Sequence, residues 1–114
     1  MSASDTVAVP YQDVLDEVVR RVFRVVQPHR IVLFGSAARE RMGPDSDLDI
    51  LVIVPGPAHR RALAQEILRN LHGIPLPVDI VVATEQDVAS YGDKVGTILR
   101  PALREGQVIY ERNA

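Results

Sequence analysis

The chain has 114 residues, 46% hydrophobic and 25% charged, which is the balance of a folded globule with a packed core and excludes disorder. The length suits one domain over 1–114, with 1–9 as a loose N-terminal tail. A formal net charge of -2 argues against strong nucleic-acid binding, and the absence of cysteine excludes disulfides, thiolate metal sites and cysteine nucleophiles. The chain does not open on a basic segment followed by an apolar run, and no window reaches the ~18 apolar residues needed to span a bilayer. The expected setting is therefore cytoplasmic, with no membrane contact.

In chain order, the first element spans Tyr11 to Gln27. At ~100° per residue, Val14, Leu15, Val18, Val19, Val22, Phe23, Val25 and Val26 occupy one half of the wheel, and the charged side chains fill the other. This reads as an amphipathic helix whose first turn suits Pro10 and which Pro28 ends. Its apolar stripe is wide enough that one edge could serve a homo- or hetero-oligomer contact as well as the core. Arg30 to Phe34, closed by Gly35, reads as a strand, and so does Leu48 to Val54, stopped by Pro55-Gly56-Pro57. The spacing then predicts a helix over Ala58 to His72, with Leu63, Ile67, Leu68 and Leu71 on one face and Gly73 after it. Val78 to Ala83 is a third strand. Thr84 with Asp87 resembles a capping box opening a short helix. Ser90 to Glu105 is helical in part, with a kink or a new helix at Pro101, and Val108-Ile109-Tyr110 adds a last short strand. The expected class is α/β (α+β), a small mixed sheet with flanking helices.

Chemistry concentrates in two places. Side chains alternate along a strand, so Asp47 and Asp49 project to one side with Cα atoms ~7 Å apart, while Leu48 points into the core. Two carboxylates so placed can share one hard cation: Mg²⁺ takes one or two carboxylates and fills its remaining positions with water and phosphate oxygens. Asp79 is an acid inside an otherwise apolar strand, and a metal or an attacking hydroxyl would offset the cost of placing it there. Ahead of this pair lies a Gly-Ser turn. Gly35 lets backbone approach an anion, Ser36 adds a hydroxyl and an N–H, and Arg39, with Arg41 as a second candidate, can neutralise phosphate charge. These parts suit a metal-bound nucleoside triphosphate. Neither Gly-x-x-x-x-Gly-Lys-Ser/Thr nor Gly-x-Gly-x-x-Gly is present, which sets aside P-loop and dinucleotide readings. Each residue also has a plainer role: Pro44-Asp45-Ser46-Asp47 is a good turn sequence, Ser36 a good helix cap, and Asp79 a partner for an arginine. His29, His59 and His72 lack metal-ligand spacing and read as surface histidines.

Gly35, Ser36, Ala38, Arg39, Pro44, Ser46, Asp47 and Asp49, with Asp79 and the ending Ala102 to Tyr110, resemble the minimal nucleotidyltransferases of the polymerase-beta-like superfamily, from about Arg30 onward. The resemblance implies that fold. It also implies that Asp47 and Asp49 bind catalytic Mg²⁺, that Asp79 helps bind a second ion and activates an acceptor hydroxyl, and that Gly35, Ser36 and Arg39 hold the nucleotide. The implied reaction transfers a nucleoside monophosphate, AMP from ATP, to a hydroxyl. Only about sixty residues follow Val54, so a partner chain is expected to supply the acceptor. Small members resemble MntA-type antitoxins, whose partner is a HEPN toxin and whose acceptor is a tyrosine of that toxin. The alternative is a non-catalytic binding module or nucleotide sensor that neutralises or scaffolds a partner.

Overall fold

The computed structural model describes residues 11–35, 47–92, 94, 97 and 99–112. In chain order these form helix α1 (Tyr11–Val22), strands β1 (Arg30–Phe34) and β2 (Leu48–Val54), helix α2 (Arg60–Arg69), strand β3 (Val78–Thr84), helices α3 (Glu85–Tyr91) and α4 (Leu99–Glu105), and strand β4 (Gln107–Glu111). The expected N-terminal tail, 1–9, lies outside the described residues. The strands form one mixed sheet in the order β3-β2-β1-β4. β1 is antiparallel to β2 and β4, and β2 is parallel to β3, with α2 carrying the crossover.

The sheet is built around β2. Every residue of this strand is buried except Asp49, because its apolar run serves both faces. Leu48, Ile50, Val52 and Val54 pack with Val14, Leu15, Val18 and Val22 of α1 and with Ile67 of α2. Leu51 and Ile53 point the other way and pack with Val32, Ala83, and Leu99 and Ala102 of α4. Each fully buried aliphatic side chain contributes about 1.5–3 kcal/mol, so β2 outweighs any surface ion pair at about 0–1 kcal/mol.

The strands match the sequence pattern closely; the helices differ at their ends. α1 stops at Val22, short of Gln27. The Arg24 and Val25 N–H groups donate three residues back, to Arg21 O at 3.1 Å and Val22 O at 3.0 Å, which tightens the turn. β-Branched Val25 and Val26 lower helix propensity there, and Pro28 disfavours helical backbone at Gln27. Val25 and Val26 still pack against the core. Phe23 meets Tyr110 edge to face, with centroids 4.9 Å apart, tying this turn to β4. α2 is also shorter than expected, Arg60–Arg69. Leu68 is 38% exposed and does not join the core face, since it lies about 100° round the helix from Ile67. Ala64 and Leu63, three and four residues before Ile67, pack there instead. Pro101 lies in the first turn of α4, where no intrahelical N–H is needed, so a new helix starts at Leu99.

The capping box forms as expected. Thr84 Oγ1 accepts from Asp87 N–H at 3.0 Å, and Thr84 N–H donates to Asp87 Oδ2 at 3.0 Å. One guanidinium nitrogen of Arg60 donates to both Asp87 oxygens, at 2.9 and 2.8 Å, joining the start of α2 to α3. The Thr84 backbone N–H, and after it Arg60, hold the Asp87 carboxyl below the usual carboxylate range. A depressed folded value means the contribution is complete above the ordinary carboxylate value and is lost as pH falls through the depressed one. Asp87→Asn should therefore cost about 1 kcal/mol in urea unfolding at neutral pH, and its difference from the wild type should close as the medium is acidified.

Candidate active site

Register brings the acidic residues together. β2 and β3 pair so that Asp49 is opposite Asp79, while β1 and β2 pair so that Asp49 is opposite Phe34, just before Gly35. Asp49 shares a face with Leu51 and Ile53, and Asp79 with Val81 and Ala83, so both carboxylates project from the side of the sheet that α4 covers further along. Asp47 directly precedes β2 and is exposed, as is Asp79, whereas Asp49 is half-buried. Leu48 is fully buried on the other face. Its burial anchors the strand between the two acids.

Gly35 has a further role that strand spacing did not reveal. It adopts φ +76, and a Cβ there would overlap the Asp49 carboxylate, with Asp49 Cγ 3.2 Å away. The glycine is thus the seat on which Asp49 rests. The signal was the β1–β2 register, which neither strand carries alone.

Burial, then Asp79 and then Asp47, push the Asp49 carboxyl up. Asp49 and Asp79 share a face and Asp47 lies near enough to add to their repulsion when ionised, which a hard cation would relieve. Among the described residues no group of three or more His, Asp or Glu is gathered to hold an ion unaided. The donor set is carboxylate oxygen only, which fits Mg²⁺, an ion that completes its shell from water and phosphate. Asp47, Asp49 and Asp79 are the residues that could hold it. Ser36, Arg39 and Arg41 lie outside the described residues, so Gly35 alone represents the expected cradle. The histidines do not join the site. His59 and His72 are exposed. His29 Nδ1 lies 2.7 Å from Glu85 Oε2, at the end of the sheet away from the acids.

A family model described as a nucleotidyltransferase domain matches residues 15–102. No curated protein matches the chain. Among solved structures, the chain is similar to a protein of Sulfolobus solfataricus provisionally assigned as a nucleotidyltransferase, at 21% identity and a TM-score of 0.62, covering 89% of this chain and 80% of that one. It is similar at 18% identity and a TM-score of 0.57 to a chain of a toxin–antitoxin complex with AMP-PNP, covering 87% of this chain and 74% of the other. A third likeness, at 18% and 0.54, is to a chain of the tri-AMPylated Shewanella oneidensis HEPN toxin in complex with MNT antitoxin, with 89% and 72% covered. At such identities these likenesses concern the fold. No helix among the described residues is long and apolar enough to cross a membrane.

Two other glycines provide a control for the Asp49 seat. Gly56 and Gly73 also have positive φ, +70 and +93, but an added Cβ would meet nothing within 4 Å. Alanine at either should cost about 1–2 kcal/mol of left-handed strain and no more. Gly35→Ala should cost a similar amount in urea unfolding, because the Asp49 carboxylate can swing aside. It alone should weaken Mg²⁺-dependent nucleotide binding, by roughly tenfold or more in calorimetry. Equal affinity in all three variants would remove the seat.

Proposed function

We propose, from the premise that the chain belongs to the nucleotidyltransferase domain family, that it transfers AMP from ATP to a hydroxyl of a partner protein and so acts as the antitoxin to a HEPN-type toxin. The observation that carries this reading is the register of Asp49 against Asp79, with Asp47 two residues ahead. It is the arrangement a phosphoryl-transfer site needs on its metal side. The similarity to complexes of this kind, one holding a tri-AMPylated HEPN toxin, supports the choice of partner.

In this reading Gly35, with no side chain, lets the triphosphate approach the end of β1, and Ser36 and Arg39 donate to its oxygens. Asp47 and Asp49 would hold Mg²⁺, with Asp79 sharing a second ion. When bound, the ions neutralise charge on the phosphate oxygens and stabilise both the attacking and the leaving oxygen. Asp79, exposed on the outermost strand, takes the proton of the acceptor hydroxyl. The hydroxyl oxygen bonds to the α-phosphorus in line with the bridging oxygen that departs as pyrophosphate. Asp49, half-buried and seated on Gly35, keeps the donor side fixed while the acceptor arrives from outside.

Incubation with ATP labelled at the α-phosphate, Mg²⁺ and a HEPN-type toxin as the partner tests the proposal. The wild type should label the partner. Asp79→Asn should slow labelling by roughly 10²–10⁴-fold, the usual contribution of a general base. Asp47→Asn and Asp49→Asn should also lose the response to Mg²⁺ concentration. An unlabelled partner that the wild type and all three variants neutralise equally would replace catalysis with the binding-module alternative.

A further inference from the structure

The strand that carries Asp79 has a second feature one alternation further along. Asp79, Val81 and Ala83 lie on the same face of β3, which is an outermost strand of the described sheet. Beside Val81 and Ala83 opens a cavity of about 270 Å³, lined also by Tyr91, Leu99, Thr97 and the Arg60–Asp87 ion pair. Pockets for whole small molecules run from roughly 300 to 1,000 Å³, so this one is the size for a side chain. Leu99 and Ala83 are 7% and 3% exposed and form an apolar floor, whereas Tyr91 is 48% exposed. The Tyr91 backbone carbonyl has a partner: Thr97 Oγ1 donates to Tyr91 O and to Lys94 O at 3.2 and 2.9 Å. An aromatic side chain half in water beside an apolar floor, with Lys94 Nζ 6.0 Å from its ring centroid, is a platform for another apolar group.

Resting on the proposed transferase reading, we infer that this cavity is the acceptor-side subsite and takes an apolar or aromatic side chain of the acceptor polypeptide two positions from its hydroxyl-bearing residue. The inner flank of Asp79 is filled by β2, with Phe34 and Gly35 beyond Asp49, which leaves the outer edge of β3 as the approach for the acceptor. An unpaired strand edge can accommodate an extended segment alongside it. In such a segment, same-face side chains recur every ~7 Å, the same step that separates Asp79 from Val81. A hydroxyl set against Asp79 therefore brings its neighbour two positions away to the Val81–Tyr91 cavity. The occupant is an extended partner segment of the form hydroxyl-x-apolar, read in either chain direction.

The test uses two dye-labelled peptides, Gly-Gly-Tyr-Gly-Phe-Gly-Gly and the same peptide with Ala for Phe, and measures their affinity by fluorescence anisotropy. The protein is held with Mg²⁺ and a non-hydrolysable ATP analogue, so binding is read without turnover. The Phe peptide should bind the wild type about tenfold more tightly. Tyr91→Ala should erase that preference, while Tyr91→Phe, which keeps the ring, should retain it; circular dichroism confirms that each variant is folded. Equal affinity of the two peptides for the wild type, or a preference that survives Tyr91→Ala, would overturn the subsite. Transfer is scored separately with ATP and a HEPN-type toxin partner: intact peptide discrimination with no transfer to the partner would sink the transferase reading and leave a peptide-binding cavity that is not an acceptor subsite, whereas transfer without discrimination would overturn the subsite alone.

Discussion

Asp49 and Asp79 face each other across neighbouring parallel strands, and like charges so placed are unfavourable until something neutralises them. The fold must hold this pair against its own repulsion. It does so with β2, whose remaining residues are all buried. Because side chains alternate, a slip of one residue in β2 would turn Asp49 into the core and Leu48 out of it, so burial of the aliphatic residues and presentation of the acid are one constraint. The rise in the Asp49 proton affinity is the local sign of the conflict, with burial as its main cause and Asp79 and Asp47 adding to it.

The two faces of the sheet divide the work. One is covered by α1 and α2 and holds the larger core. The other carries the smaller core under α4 and, toward the start of β2 and β3, the three acids. Gly35 closes that end from β1. The opposite end is held by polar contacts: the Thr84–Asp87 capping box, the Arg60 bridge and the His29–Glu85 pair. Arg21 of α1 donates to His72 O at 2.6 Å, clamping the segment after α2. The capping contacts thus lie along β3 from the acids and border the cavity beside Val81 and Ala83, so changes there leave the acids in place but reach the proposed acceptor side.

Local pattern made the strands legible. Apolar runs bounded by glycine and proline placed β1 and β2 to the residue, and Thr84 with Asp87 announced α3 through a side-chain motif only four residues long. Legibility failed where tertiary competition decides. Pro28 and the β-branched Val25 and Val26 were local signals for an early end to α1, whereas the docking of Phe23 on Tyr110, far along the chain, was not legible from the helical period of the valines. The wheel grouped Leu68 with Ile67, whereas packing chose the smaller Ala64. At the site, Asp47 and Asp49 were legible as a pair because two residues of strand fix their relation. That Asp79 would lie opposite Asp49 depended on a parallel register set by a crossover of more than twenty residues, and here the motif resemblance supplied what spacing could not. The contact of Gly35 with Asp49 was hidden for the same reason, since it arises between strands. Ser36 and Arg39 fall outside the described residues.

The most direct measurement is the thermal unfolding midpoint with and without Mg²⁺ and a non-hydrolysable ATP analogue, for the wild type, Asp47→Asn and Asp49→Asn. If the acids form the metal side of a nucleotide site, the analogue at about a hundred times its dissociation constant stabilises the wild type by about 2.7 kcal/mol, a rise of several degrees that requires Mg²⁺. Both variants should show little or none of it. An equal rise in all three proteins, or a rise in the wild type that does not depend on the metal, would contradict a site built on these carboxylates.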